Sequence, residues 1–164
     1  MEPKVVRDSR RKLVMLVDYL LGPRVSAALP RRGLRYEYSR RTKRLRRVYV
    51  AEQLFCTIRP DGSPALTLFG ASVLARRPAF RPNCVVVQKG VEPFVAAGRS
   101  VFCKHVIACG DRIRPAAEVA VLDTHGHVIA VGRAVLSAKM IRVFKVGVAV
   151  KVRHGSHEPS AKSS

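Results

Sequence analysis

The side chains best suited to metal chemistry are two histidines that flank a glycine. His125 and His127 stand one residue apart, a spacing that places both on one face of a β-strand and allows both to bind one metal ion. Gly126 lies between them in a predicted hairpin turn, and no third ligand is near in sequence. The pattern therefore favours a turn over a metal site.

The four cysteines do not form a metal-binding motif. No two of them have the CxxC spacing that is typical of zinc ribbons and zinc fingers. We predict that they are small apolar side chains buried in strands, and we expect that folding needs no metal or cofactor. The cysteines are Cys56, Cys84, Cys103 and Cys109.

The motifs of common enzyme classes are absent from the sequence. It contains no GxSxG elbow, no Walker-type phosphate loop and no GxGxxG fingerprint, and its eleven carboxylates are scattered. We expect no catalytic residue. An RNA-modifying enzyme with its own active site remains the alternative from a different functional class.

The net charge points to a polyanionic partner. Thirty-one Lys and Arg residues outnumber eleven Asp and Glu residues, for a formal charge of +20, and both halves of the chain are positive. Arginine supplies 22 of these cations, and its planar fork binds phosphate in a bidentate manner. We therefore favour nucleic-acid binding over a merely solvated surface. No apolar run is long enough to span a membrane, and no apolar leader opens the sequence, so we expect a cytoplasmic protein without a membrane partner.

The densest group of cations surrounds a predicted hairpin turn at residues 40–43. Phosphate contacts there would make binding strongly salt-dependent. Three tyrosines, Tyr36, Tyr38 and Tyr49, alternate with the cations; we expect them to face the core, with stacking on unpaired bases as the alternative. The candidate phosphate-binding residues are Arg40, Arg41, Lys43, Arg44, Arg46 and Arg47.

A second basic site follows in the other half of the chain. Lys89-Gly90 and Gly98-Arg99 bracket a predicted short helix at 92–97, and Lys104 lies in the strand that we predict over 100–108. Glycines at such positions allow a ligand to approach the backbone closely.

The periodicity of apolar residues predicts an α+β fold. A first helix, beginning near Asp8 or Ser9, carries an apolar stripe from Leu13 to Leu20 and stops at Gly22-Pro23. Antiparallel strands follow it. The second half repeats short strands at even spacing, which predicts a small β-barrel. We place the domains at 1–78 and 79–154, with a disordered polar tail at 155–164.

Both halves resemble parts of known RNA-modifying enzymes. The segments VVVQKGVEPFVAAGRSVFCKHV, HVIAVGRAVLSAKM and GVAVKVRHG resemble the PUA domain, a small RNA-binding pseudobarrel. YEYSRRTKRLRRVY and LFCTIRPDGSPALTLFGASVL resemble the domain that precedes PUA in archaeal tRNA-guanine (archaeosine) transglycosylases. We expect no counterpart of the large catalytic barrel of those enzymes within these 164 residues.

The resemblance implies a PUA pseudobarrel and binding of the acceptor stem and 3′ end of tRNA. It also implies that the first helix of that domain and the following strand face the RNA. One departure is Ala116-Ala117, where the family usually has Gly-Asp in a loop. The residues that map to the RNA-facing surface are Lys89, Gly90, Phe94, Gly98, Arg99 and Lys104.

These observations lead to one main functional hypothesis and one alternative with the same architecture. The main hypothesis is a non-catalytic RNA-binding protein, specific for tRNA, that assists a separately encoded tRNA-modification enzyme. The alternative is a translation factor similar to the MCT-type recycling and re-initiation family, which would have the ribosome as its partner.

Overall fold

The computed structural model describes the backbone of residues 4–157, with side chains from Asp8 onwards. The chain divides after Arg81 into two compact units. The first contains α1 (Lys4–Leu21), β1 (Leu34–Tyr38), β2 (Leu45–Val50), β3 (Gln53–Ile58), β4 (Pro64–Leu66) and α2 (Leu68–Ala75). The second contains β5 (Cys84–Val87), α3 (Glu92–Ala96), β6 (Val101–Phe102), β7 (Val106–Cys109), β8 (Glu118–Leu122), β9 (Val128–Ala134), α4 (Ala138–Val143) and β10 (Val148–Gly155).

Helix α1 begins earlier than its sequence suggests. Asp8 and Ser9 lie within the helix and do not cap it. Ser9, Leu13, Val17 and Leu21 are buried, and their spacing of four residues forms one stripe. The predicted stop is confirmed, because the Gly22 N–H donates to Asp18 O (3.1 Å) with the glycine at φ +120°.

The first unit contains an antiparallel sheet in the order β1-β2-β3-β4. The predicted hairpin between β1 and β2 is confirmed. The pairing of these strands is irregular after Glu37, because Arg46 is an extra residue on β2 between the partners of Glu37 and Tyr38. β4 ends at Leu66 because Thr67 caps α2, its Oγ1 accepting from the Gly70 N–H (3.0 Å).

The second unit contains a six-stranded sheet in the order β6-β10-β9-β8-β5-β7. The single strand predicted over 100–108 is wrong. Residues 103–105 form a turn of 3-10 helix, which separates the segment into β6 and β7. These two strands form the opposite edges of the sheet. Because only three residues join them, the sheet curls into the nearly closed barrel that the sequence predicts.

The core of this barrel consists mainly of valine and alanine. Small branched side chains fill a narrow barrel interior without voids. Fully buried members are Val85, Val87, Val101, Val119, Val121, Ala130, Ala149 and Val150.

Strand β10 extends further than the sequence suggests. Gly155 ends it and is buried, whereas we expected a disordered tail from this residue onwards. The Ser156 N–H donates to Ile129 O (2.9 Å) and the His157 N–H donates to Ala96 O (2.8 Å). Backbone hydrogen bonds therefore hold the first residues of the predicted tail, and residues 158–164 lie outside the described residues.

The loop before β8 keeps its turn although it lacks the glycine usual in the resembling family. The Ala117 N–H donates to Arg114 O (3.0 Å), and Ala116 adopts φ +66°. Pro115 then occupies the second position of a type II turn, and Ala116 occupies the third, which favours glycine. Alanine here has a strained backbone.

We expect Ala116→Gly to raise the free energy of unfolding by about 0.5–1 kcal/mol. Glycine removes the cost of the left-handed conformation, and its greater freedom in the unfolded chain offsets part of that gain. Urea unfolding followed by circular dichroism measures the change. The control is Ala117→Gly, which sits at ordinary φ and should destabilise; equal effects of the two variants would contradict the strain at Ala116.

Candidate nucleic-acid interface

The tip of the β1–β2 hairpin is a tight loop that carries exposed cations. The Ser39 N–H donates to Arg44 O (2.9 Å), and the Lys43 N–H donates to Ser39 O (2.9 Å). The Thr42 N–H donates to Ser39 Oγ (3.3 Å). The loop is held by its own backbone, and the exposed cationic side chains on it are those of Arg40, Arg41, Lys43 and Arg44.

Arg47 differs from the other residues of the predicted cluster. It is half-buried, and its guanidinium donates to Glu37 Oε1 at 3.1 Å. Tyr49 Oη donates to the other oxygen of the same carboxylate, also at 3.1 Å. Because Glu37 and Arg47 are paired directly across β1 and β2, this ion pair joins the two strands.

A groove opens between the hairpin tip and the turn that joins β3 to β4. We call it the hairpin groove; its volume is about 1120 Å³, and it is lined by residues 37–42, 44–46, 57–60 and 62. Arg40, Arg41, Arg44 and Arg46 border it with no carboxylate within ion-pair distance among residues 8–157. Four arginine side chains are therefore available to an anionic ligand.

The second predicted site gathers around α3, and we call its six predicted residues the α3 surface. The Gln88 N–H donates to His105 O (2.9 Å), and the Gln88 side-chain amide lies 2.9 Å from His105 Nδ1. This pair brings the segments that carry Lys89 and Lys104 together. At the other end of α3, the Arg99 N–H donates to Phe94 O (3.1 Å).

Cationic and apolar side chains are both accessible on the α3 surface. Lys89, Arg99 and Lys104 are exposed, and Phe94 is 57% exposed. Gly98 has φ +98°, which allows the sharp turn from α3 into β6. An exposed aromatic ring beside cations can stack on an unpaired base while the cations contact phosphates.

Gly155 explains how the loop after α3 is held in place. A Cβ at this residue would lie 2.2 Å from Ala96 O and 2.7 Å from Gly98 N. Only glycine allows the end of β10 to approach the end of α3 this closely. The position of Gly98 and Arg99 thus depends on a residue more than 50 positions away in sequence.

A further groove on the second unit was missed by the sequence analysis. It lies between β7 and α4, has a volume of about 360 Å³, and is lined by residues 103–104, 106–109, 141–142 and 144–145. It adds Arg142, Phe144 and Lys145 to the predicted Lys104. In the sequence, Lys145 stands between two large apolar residues just before β10. The structure exposes both of them, Phe144 (45%) and Val146 (85%).

Burial raises the thiol pKa of two cysteines on this groove. Burial raises the pKa of Cys109, the nearby Arg142 opposes that rise, and Asp111 and Cys103 add to it. Burial also raises the pKa of Cys103, which outweighs a backbone hydrogen bond that lowers it. Both thiols are therefore protonated at neutral pH and are poor nucleophiles.

The histidine pair lies in a turn, as predicted. Asp123 accepts from the N–H groups of His125 (2.9 Å) and His127 (2.8 Å), and its other oxygen lies 3.1 Å from His127 Nδ1. Burial raises the pKa of Asp123, but these hydrogen bonds outweigh it, so the net pKa lies below the ordinary value. No group of three His, Cys, Asp or Glu residues able to hold a metal ion occurs within the described part of the chain.

No helix among the described residues is long and apolar enough to cross a membrane.

Comparison with known proteins identifies relatives of both units. Over 155 residues the chain is 33% identical to the tRNA-guanine(15) transglycosylase of Methanobrevibacter smithii, which covers 94% of this chain and 24% of that enzyme. It is 34% identical over 154 residues to the enzyme of Pyrococcus abyssi, with 93% of this chain and 26% of that enzyme covered. The matching segment is the C-terminal part of these relatives, and the chain spans about a quarter of their length.

Solved structures share the fold. A hypothetical protein from Pyrococcus horikoshii superposes with a TM-score of 0.74 at 19% identity, covering 93% of this chain and 92% of that one. A conserved PUA domain protein from Thermoplasma acidophilum superposes with a TM-score of 0.65 at 21% identity, covering 93% and 91%. These likenesses confirm the α+β architecture with a PUA-like barrel.

Family comparison assigns each unit separately. Residues 11–79 match the patch-forming domain C2 of tRNA-guanine transglycosylase, and residues 83–156 match the PUA domain. Both assignments confirm the resemblance noted in the sequence. This chain therefore consists of a C2 patch-forming domain of the tRNA-guanine transglycosylase type followed by a PUA domain.

Proposed function

We propose that this chain binds tRNA through two basic surfaces and contributes no catalytic group. The observation that carries the proposal is the set of four arginines around the hairpin groove, which no carboxylate within residues 8–157 neutralises. The family matches support it, since PUA domains bind RNA and the relatives are tRNA-guanine(15) transglycosylases. The enzyme that modifies the bound tRNA is then a separate partner.

The two surfaces make different contacts with the RNA: the hairpin contacts phosphates, and the α3 surface contacts unpaired nucleotides. The hairpin cations lie on a rigid loop and bind backbone phosphates, which positions the RNA without reading its sequence. The α3 surface combines Phe94 with Arg99 and Lys104, and this combination suits the unpaired 3′ end of tRNA.

We expect tighter binding to tRNA than to a DNA duplex of similar charge. The surfaces read A-form shape and unpaired nucleotides, which a B-form duplex lacks. Fluorescence anisotropy with labelled nucleic acids, from 50 to 200 mM salt, measures both affinities. For roughly six phosphate contacts the affinity for tRNA should fall about a thousandfold over this range. Equal affinities for tRNA and DNA, or an affinity that ignores salt, would contradict the proposal.

Removal of two hairpin cations should weaken binding to every RNA alike. For Arg41→Ala/Arg44→Ala we expect the slope of log affinity against log salt to become shallower by roughly 0.7–0.9 per lost phosphate contact. The matched control is Arg76→Ala/Arg77→Ala, which removes the same charge from exposed residues outside the groove. If both double variants change the slope equally, net charge alone governs binding and the groove is not the site.

Removal of two cations from the α3 surface should make the protein less able to distinguish tRNA with an intact 3′ end from tRNA without it. We expect Arg99→Ala/Lys104→Ala to reduce the preference for tRNA with an intact 3′ single strand over tRNA that lacks it. Competition binding with the two RNAs measures the preference, and Arg112→Ala/Arg114→Ala is the control within the same unit. Should the hairpin variant abolish this preference instead, the roles of the two surfaces are reversed.

A further inference from the structure

Tyr38 is placed differently from the other tyrosines of the sheet. We expected all three to face the core. Tyr36 is half-buried opposite the buried Val48, but Tyr49 lies on the other face of β2, where the exposed Arg35 stacks over its ring at 3.9 Å. Tyr38 instead lines the hairpin groove and is 36% exposed. The irregular pairing does not turn Tyr38 around, because the extra residue is Arg46 on β2 and β1 itself runs on regularly. Tyr38 is the last residue of β1, next to the hairpin tip, and this position leaves part of its ring accessible.

The ring of Tyr38 is held in place from the far side. Its hydroxyl is hydrogen-bonded to the hydroxyl of Ser9, which is only 2% exposed within α1. One end of the ring is therefore anchored in the core of the unit, and the rest of it reaches the groove. A ring that is already ordered loses little entropy when a flat ligand stacks on it.

The charges around this ring favour an anion. Arg40, Arg44 and Arg46 line the same groove. Of the two carboxylates nearby, Glu37 is held by Arg47 and Tyr49, and Asp61 accepts from the N–H (2.9 Å) and Oγ (2.6 Å) of Ser63. Arg47 neutralises Glu37, and the arginines that line the groove outnumber the single negative charge of Asp61, so the field at the ring is positive.

A groove that offers an aromatic ring among arginines suits a nucleotide. Its volume of about 1120 Å³ exceeds the roughly 300–1,000 Å³ of typical small-molecule pockets. A paired duplex presents only its backbone to such a groove, since its bases are stacked and cannot reach the ring. The ligand that uses the ring as well as the arginines is a nucleotide outside the helical stack.

We propose that the hairpin groove holds one unstacked nucleotide of a bound RNA, with its base on Tyr38 and the flanking phosphates on the hairpin arginines. The inference rests on the proposed function, since it assumes that the chain binds RNA. It goes beyond that function by giving the C2 domain a base-binding site of its own.

The experiment compares two RNA stem-loops that differ only in one bulged uridine. We expect the wild-type protein to prefer the bulged RNA, and Tyr38→Ala to weaken binding to it about tenfold while leaving the fully paired RNA unchanged. Tyr38→Phe keeps the ring and should retain most of the preference. The matched control is Tyr19→Ala, which removes an 82% exposed tyrosine from α1 outside the groove.

A photocrosslink tests the contact without any variant. With 5-iodouridine at the bulge, irradiation should link the wild-type protein to the RNA, and mass spectrometry should find the link in the peptide that contains Tyr38. A link to Phe94 or Phe144 instead would place the base on the second unit and overturn the inference. This arm remains decisive if Tyr38→Ala does not fold.

The outcomes separate this inference from the proposed function. If wild-type protein binds both stem-loops equally, or if Tyr38→Ala weakens both equally, the nucleotide site is wrong while RNA binding stands. If the wild-type protein binds neither these stem-loops nor tRNA, the proposed function itself fails.

Discussion

The small number of carboxylates determines which cations of this chain remain without an ion-pair partner. Eleven acidic residues face 31 cationic ones, so most cations cannot be neutralised within the fold. The carboxylates that form ion pairs lie largely in or beside the sheets: Glu37 binds Arg47 across β1 and β2, and the buried Glu118 binds Arg153 between β8 and β10. Pairing within the sheets leaves the loop cations uncompensated, and the hairpin tip carries the densest group of them. Repulsion among these arginines is relieved when they bind a polyanion.

In the second unit, the decisive constraint is closure of the sheet through residues 103–105. The 3-10 turn sends β6 to one edge of the sheet and β7 to the other, so both edge strands come from one continuous segment. Lys104 lies on this turn, and His105 beside it bonds to Gln88, which leads into Lys89. The element that closes the barrel therefore also assembles the α3 surface, and the candidate site rests on a rigid part of the fold.

Much of this arrangement was predictable because its signals are local. The stripe of α1, its stop at Gly22, the β1–β2 hairpin and the short strands of the barrel follow from apolar periodicity and turn residues over a few positions. The corrections concern contacts that neighbours in sequence do not reveal. A local pattern could not show the break at residues 103–105, because strand pairing with β10 on one side and β5 on the other stabilises it. Nor could it show that β10 continues to Gly155, whose need for glycine arises from contact with α3.

The sequence by itself determined the charge, the α+β class and the positions of the basic clusters, because composition and periodicity belong to the chain and not to its fold. Tertiary structure alone decided which of the clustered residues are available. It pairs Arg47 with Glu37, so this arginine is not available with the rest of the cluster, and it places Tyr38 beside the groove with its hydroxyl bonded to Ser9. The partners of Arg47 and Tyr38 lie 10 and 29 positions away in the sequence. Packing of the chain brings such residues into contact, and no local sequence pattern encodes which of them meet.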